Sequence, residues 1–317
     1  MSKKIMVTGA LGQIGSELVA SLRKIYGNQN VLSTDLKETT ETTDEYYEKL
    51  DVNDTERISE MVQKHQIDTV YHLAAMLSAT AEKIPMKAWD LNMNSLLHFL
   101  ELAREKKILQ LYWPSSIAIF GADTPKHNTE QNALAIPTTV YGISKRAGEF
   151  WCNYYHKRYG VDVRSIRYPG LISWKTMPGG GTTDYAVDIF YQALETEKYE
   201  CFLSEETALP MMYMDDAIRA TIELMQADAE KLSIRTSYNL NALSFSPKQL
   251  TEAIRKYLPD FEISYKPDFR QAIADTWPAS IDDSIAQKDW NWKPEFDLDA
   301  MCRAMLENLK IKLGVES

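Results

Sequence analysis

Along the first 170 residues, short β-branched runs alternate with stretches whose apolar residues recur at helical spacing. The runs at 4–8, 30–34, 69–73, 109–114 and 162–167 predict strands, and the stretches at 14–26, 54–65, 89–105 and 141–159 predict helices. Strands alternating with helices imply βαβ units, so the expected fold is α/β, a doubly wound parallel sheet of the Rossmann type. After Tyr168 the texture changes to a Pro/Gly/Thr loop at 177–183, a helix at 184–195, a mixed segment, and then Ser246-Pro247, an N-cap followed by proline at the first helical position. Turns at Trp277-Pro278 and Lys293-Pro294 mark the closing stretch. The organisation expected is a first domain over 1–172, completed by segments near 211–242, and a smaller C-terminal substrate-binding lid over 173–317. There is no internal repeat and no low-complexity tract.

Composition narrows the class. Of 317 residues, 44% are hydrophobic and 25% charged, enough apolar content for a full core and too much for a disordered chain. The 35 basic residues against 45 acidic ones, a net of −10, argue against nucleic acid or an acidic membrane as partner and favour a small molecule. No run approaches the ~18 apolar residues of a membrane span. Three widely separated cysteines, Cys152, Cys201 and Cys302, fit a reduced cytoplasm. No metal is expected, because His65, His72, His98, His127 and His156 form no His-x-x-x-His pair, and Cys152 with His156 lacks further ligands nearby.

Thr8-Gly9-Ala10-Leu11-Gly12-Gln13-Ile14-Gly15 follows an apolar strand and opens a helix. Glycines there let the backbone turn tightly and approach a pyrophosphate at the helix N-terminus. Asp35, 20 residues after Gly15, stands at the end of the second strand, either as an ordinary turn aspartate or as the ligand of an adenosine ribose. In the second role it repels a 2′-phosphate and favours NAD over NADP. Leu36 stands beside it, and Asp51-Val52 and Leu73-Ala74-Ala75 follow the next strands, at ends that face the ligand crevice in such sheets; Asp51 is a candidate for adenine. With Gln13, Ile14, Tyr168 and Leu171 they complete the expected cofactor set.

Tyr141-Gly142-Ile143-Ser144-Lys145 puts a phenol and an ammonium four residues apart on one helix face. A nearby cation stabilises phenolate, so Lys145 is expected to lower the Tyr141 pKa toward that of a general base. Pro114-Ser115-Ser116 ends a strand 25 residues before Tyr141, where a serine hydroxyl can hold a substrate oxygen. The order and spacing of these three motifs resemble the extended short-chain dehydrogenase/reductases. That resemblance makes Ser116 the orienting hydroxyl, Tyr141 the acid/base, and Lys145 both its modulator and a cofactor-ribose ligand. Asn92 then matches a helix asparagine that positions water behind the lysine, or it caps a local carbonyl.

Within that family the segments Arg167 to Ser173, Pro178 to Ala186, Thr276 to Asp283 and Asp289 to Pro294 resemble the short-chain-type L-threonine 3-dehydrogenases, over nearly the whole chain. The implied substrate is L-threonine and the implied assembly a homodimer. Three glycines leading into a helix, with Thr182 and Thr183, suit an amino-acid carboxylate, or else form a hinge with a threonine cap. The expected substrate contacts are Ser78, Ser115, Ser116, Tyr141, Gly181, Thr182, Thr183 and Trp277, the last being alternatively a lid-core residue. Nucleotide-sugar epimerases and dehydratases are the rival, and they usually carry an arginine where this chain has Leu209, although Arg219, Arg235 and Arg270 stand elsewhere. A non-enzymatic NAD sensor on the same fold is disfavoured by the intact Ser116, Tyr141 and Lys145 set.

Overall fold

The computed structural model describes residues 3–38, 44–177 and 179–315, without the side chains of Ser78 and Ala79. Its first half runs β1 (Ile5–Thr8), α1 (Gln13–Tyr26), β2 (Val31–Asp35), β3 (Tyr47–Lys49), α2 (Thr55–Lys64), β4 (Thr69–His72), α3 (Ser78–Ala81), α4 (Pro85–Arg104), β5 (Gln110–Tyr112), β6 (Ser115–Ser116), α5 (Val140–Tyr159), β7 (Asp162–Arg164) and β8 (Ile166–Tyr168). Six strands form a parallel sheet in the order β3-β2-β1-β4-β5-β7. The order reverses between β1 and β4, the point at which doubly wound sheets bind ligands beyond the strand C-termini. The expected α/β class is observed.

Local chemistry sets the element ends. Asp54 accepts a hydrogen bond from the Arg57 amide and Thr139 one from the Gly142 amide, capping α2 and α5. Helix α4 starts at Pro85, four residues before the expected 89, because proline suits a first helical turn. The run 162–167 is two strands, not one: β7 continues the main sheet, and β8 lies in a separate three-stranded sheet with β6 and Tyr238–Asn239. Ser246 forms the expected cap, a full capping box with Gln249 ahead of the helix Pro247–Arg255.

The chain divides into two compact units, residues 1–119, 137–167 and 218–238, and residues 120–136, 168–217 and 239–317. The expected boundary near 172 is thus crossed in both directions. Segment 120–136 goes with the second unit because its polar groups are satisfied there: the Thr129 amide bonds Ser280 O, the Ala279 amide bonds Lys126 O, and the Asn239 amide bonds the Gln131 side chain. In the first unit, Met6, Val70, Leu111 and Val163 from the sheet bury against Leu96, Phe99, Cys152 and Tyr155 from α4 and α5. In the second, Tyr185, Phe190, Met211, Phe245, Met301 and Met305 lie in one core. All three cysteine thiols are buried. Among the described residues no helix is long and apolar enough to cross a membrane, and no three His, Cys, Asp or Glu residues converge as a metal site would need.

At the first turn of α1 the helix meets the turn that follows β1 at backbone contact. A Cβ on Gly15 would sit 2.2 Å from Gly9 O and 2.8 Å from Ala10 Cα, whereas one on Gly12 would meet nothing nearer than Gly9 O at 3.2 Å. Gly15→Ala is therefore expected to destabilise the protein by roughly 2–4 kcal/mol, and Gly12→Ala by less than about 1 kcal/mol. Denaturant melts of the two variants check this, and equal midpoints would contradict it.

Candidate functional site

Two glycines clamp α5 onto the ends of β5 and β6. Added Cβ atoms would lie 2.2 Å from Ala118 O at Gly142 and 2.3 Å from the Trp113 ring at Gly148. Without side chains there, the first turn of α5 reaches the segment after β6, and the phenol of Tyr141 comes within interaction range of the Ser116 side chain. The Ser116 hydroxyl oxygen also accepts a hydrogen bond from the Ala118 amide at 3.2 Å.

Lys145 is buried one turn further on, only 2% exposed. Its ammonium donates to Pro114 O at 2.6 Å and lies 4.5 Å from the Trp113 ring centroid and 5.5 Å from that of Tyr141. Desolvation pushes the lysine down to about 7, with Cys152 and Glu149 acting in the opposite sense. Tyr141 departs from expectation. Desolvation pushes the phenol up to about 12, only partly offset by the neighbouring Ser116 hydroxyl, while the ammonium points at a backbone carbonyl.

Ser115, expected to touch substrate, points away. It is 2% exposed and donates to Glu149 Oε1 at 2.7 Å. Successive strand residues face opposite sides, so only one serine of the pair can face Tyr141. Glu149, which the sequence reading missed, has no exposed surface and also accepts Arg167 Nε at 2.8 Å, Arg167 Nη2 at 2.9 Å and Arg146 Nη1 at 2.8 Å. A signal for it exists: Tyr141, Lys145 and Glu149 follow each other at i, i+4, i+8 along one helix face.

Asn92 takes neither of its expected roles alone. Its side chain accepts from the Met76 amide at 2.8 Å and donates to Met76 O at 3.1 Å and Ser144 Oγ at 3.3 Å, tying the segment after β4 to α5. That segment carries Leu73, Ala74 and Ala75, and the Ala74 amide lies 2.8 Å from where a Gly9 Cβ would be. Gly9 itself has φ +69°, a conformation suited to glycine. His72, pushed down to about 3 by burial, is neutral. Ser95 Oγ donates to Leu91 O, so His72 Nε2 donates to Ser95 and His72 Nδ1 accepts from Thr8 Oγ1, at 2.9 and 2.8 Å.

Helix α1, with Gln13 and Ile14 in its first turn, has no side-chain cap and no acidic residue there. Asp35 acts as a turn aspartate, accepting from the Leu11 and Lys37 amides, each at 3.1 Å, which leaves lone pairs on both carboxylate oxygens. Leu36 beside it is exposed. Asp51 is engaged with Asn53, amide and side chain, and Val52 is buried.

The remaining candidates, Ser78 apart, lie in the second unit. Tyr168 is buried and Leu171 half-buried. The Gly179 and Gly181 amides, expected to receive a substrate carboxylate, donate instead to Asp184 Oδ2 at 2.7 and 2.8 Å. Thr182 is buried, Thr183 packs where a Gly170 Cβ would go, and Trp277 packs partly buried against the core of its unit, as its structural alternative required. Ser78 opens α3, and its side chain lies outside the described residues.

Residues 5–240 match the NAD dependent epimerase/dehydratase family. The chain belongs to that family. It is 52% identical over 318 residues to an uncharacterized epimerase/dehydratase from Staphylococcus saprophyticus, with 99% of both chains covered. Among solved structures it resembles the holo form of a GalE-like L-threonine dehydrogenase from Cupriavidus necator, at 57% identity and a TM-score of 0.95, covering 97% of this chain and 100% of that one. The apo form of a monomeric L-threonine 3-dehydrogenase from a metagenome is 51% identical, with a TM-score of 0.93 over 97% and 99% of the two chains.

Leu209, at the position where a nucleotide-sugar enzyme is expected to carry an arginine, is a core residue, 1% exposed. The three arginines considered as substitutes are committed to carboxylates: Arg219 to Glu223 at 3.0 Å, Arg235 to Asp162 at 2.7 Å and Arg270 to Asp268 at 2.7 Å.

The buried lysine has a stability signature. Its ammonium ordinarily titrates at 10.5 and here at about 7, so between those values the unfolded chain binds more protons than the folded one. Stability therefore rises with pH across that window, and the cost of burial is fully present below it. Tyr141 acts in the opposite direction only above its ordinary 10. Lys145→Met is expected to flatten the rise in denaturant midpoint between about pH 7 and 10; an unchanged slope would show that Lys145 titrates normally.

Proposed function

We propose that this protein oxidises the 3-hydroxyl of L-threonine to 2-amino-3-oxobutanoate, using NAD. The reading is carried by the desolvated phenol of Tyr141 beside the Ser116 hydroxyl with a buried ammonium one turn on, in a chain where no arginine stands at the Leu209 position.

The residues fit a dinucleotide, since the uncapped start of α1 with the exposed, side-chain-free Gly12 at its N-cap suits a close pyrophosphate, and Gly9 and Gly15 let the turn close tightly beneath it. Gly9, Gly12, Gln13, Ile14 and Gly15 would hold that group, Asp35 and Leu36 the adenosine ribose, and Asp51 and Val52 the adenine. Leu73, Ala74, Ala75, Tyr141, Lys145, Tyr168 and Leu171 would hold the nicotinamide half. NAD supplies, when bound, an acceptor for the hydride that leaves C3 of threonine.

Ser116 orients the substrate hydroxyl and Tyr141 removes its proton. Lys145 opposes the phenolate charge, and each ion favours the other: a phenolate strengthens the ammonium's hold on its proton, and the ammonium lowers the cost of the phenolate. This coupling answers the high pKa of Tyr141 in the present geometry. Thr182, Thr183, Gly181, Ser78 and Trp277 are proposed substrate contacts; with two glycine amides taken by Asp184, the loop offers hydroxyls.

A homodimer is proposed on the apolar row Ile143, Phe150, Trp151 and Tyr154 along α5, each at least 40% exposed. Sedimentation at micromolar concentration is expected to give twice the chain mass, and a monomer throughout would refute the assembly.

NADH absorbance with L-threonine, against L-serine and a UDP-hexose, tests the reaction. Rapid NADH formation with threonine alone is expected, and about 10³-fold less for Tyr141→Phe. Thr182→Ala with Thr183→Ala is expected to raise the threonine KM with little change in kcat. Turnover of the UDP-hexose in place of threonine would overturn the proposal.

A further inference from the structure

Glu149 has no exposed surface, yet it accepts four charge-assisted or hydroxyl hydrogen bonds from three residues on three elements, α5, β6 and β8. Its Oε1 holds Ser115, the residue before Ser116, and Arg167 Nε; its Oε2 holds Arg146 and Arg167 Nη2. It stands one turn after Lys145 on the inner face of α5. The surroundings of Lys145 are otherwise poor in negative charge. Around it stand Tyr141 and Cys152 on α5 and neutral His72 on β4, with burial holding the phenol and thiol protonated, while Arg146 and Arg167 bind Glu149 itself. Glu149 is the carboxylate among these groups, facing three cations.

We propose that Glu149 is a positioning residue for the acid/base pair: through Ser115 it fixes the end of β6 that presents Ser116 to Tyr141, and through its charge it stabilises the ammonium of Lys145. Two consequences separate this from mere support of the fold. Removing the charge while keeping the shape should make Lys145 lose its proton more easily, and removing only the Ser115 hydroxyl should loosen Ser116 without removing any charge. The second consequence rests on the reading of Ser116 and Tyr141 as the reacting set; the first does not.

The test follows the Cε signal of Lys145 in [13Cε]lysine-labelled, cofactor-free protein, identified by its loss in Lys145→Met. In Glu149→Gln the titration midpoint is expected to fall by about one pH unit, and an unmoved midpoint in a folded variant would overturn the electrostatic part. Should Glu149→Gln fail to fold, Ser115→Ala carries the test: kcat for threonine is expected to fall about tenfold with the KM for NAD unchanged. An unchanged kcat would overturn the positioning part. Loss of threonine turnover in the unmodified protein would refute the proposed reaction while leaving the lysine titration informative.

Discussion

The packing of α5 against the sheet depends on an ammonium group held out of water. Lys145 gives its proton bonds to Pro114 O and lies over the Trp113 ring, an environment that weakens its hold on its own proton. Placing a cation there requires α5 to be drawn against the ends of β5 and β6, which Gly142 and Gly148 permit by lacking a Cβ. It also requires negative charge nearby, and the carboxylate of Glu149 is tied into the same face by two guanidinium groups. Removing one partner of such a buried set ordinarily costs about 3–5 kcal/mol, so geometry and electrostatics here are one constraint.

The same economy appears at the strand ends around the reversal of the sheet. Thr8, His72 and Ser95 form a chain of hydrogen bonds with a fixed direction, and the neutral imidazole fixes β1 to β4 where Gly9 and Ala74 nearly touch. Asn92 then joins the next residues to α5 through Met76 and Ser144. The glycine turn after β1 and the start of α5 are thereby linked by buried polar groups with all partners supplied from within one unit.

Much of this was legible in the sequence. The alternation of strand and helix periods specifies the parallel sheet, and spacing singles out Tyr141, Lys145 and Ser116, which the fold brings next to one another, because local patterns carry secondary structure and one-face placement. What escaped depends on contacts between distant segments. Nothing in 120–136 announces that its polar groups are satisfied by 279–280 and Asn239. A Ser-Ser pair at a strand end does not reveal which hydroxyl turns inward, and the direction of the Tyr141 shift follows from burial, which spacing does not encode. Asp184 likewise filled the glycine loop from within, a bond between near neighbours whose backbone geometry no periodicity specifies.

The central claim is that the Ser116, Tyr141 and Lys145 set serves removal of hydride from a carbon bearing a hydroxyl. The most direct measurement is mass spectrometry of the cofactor after turnover of L-threonine deuterated at C3. Deuterium recovered in the reduced cofactor, one atom per turnover, is the expected result. Deuterium found in solvent water with unlabelled NADH, or retained entirely in threonine while NAD stays oxidised, would contradict it.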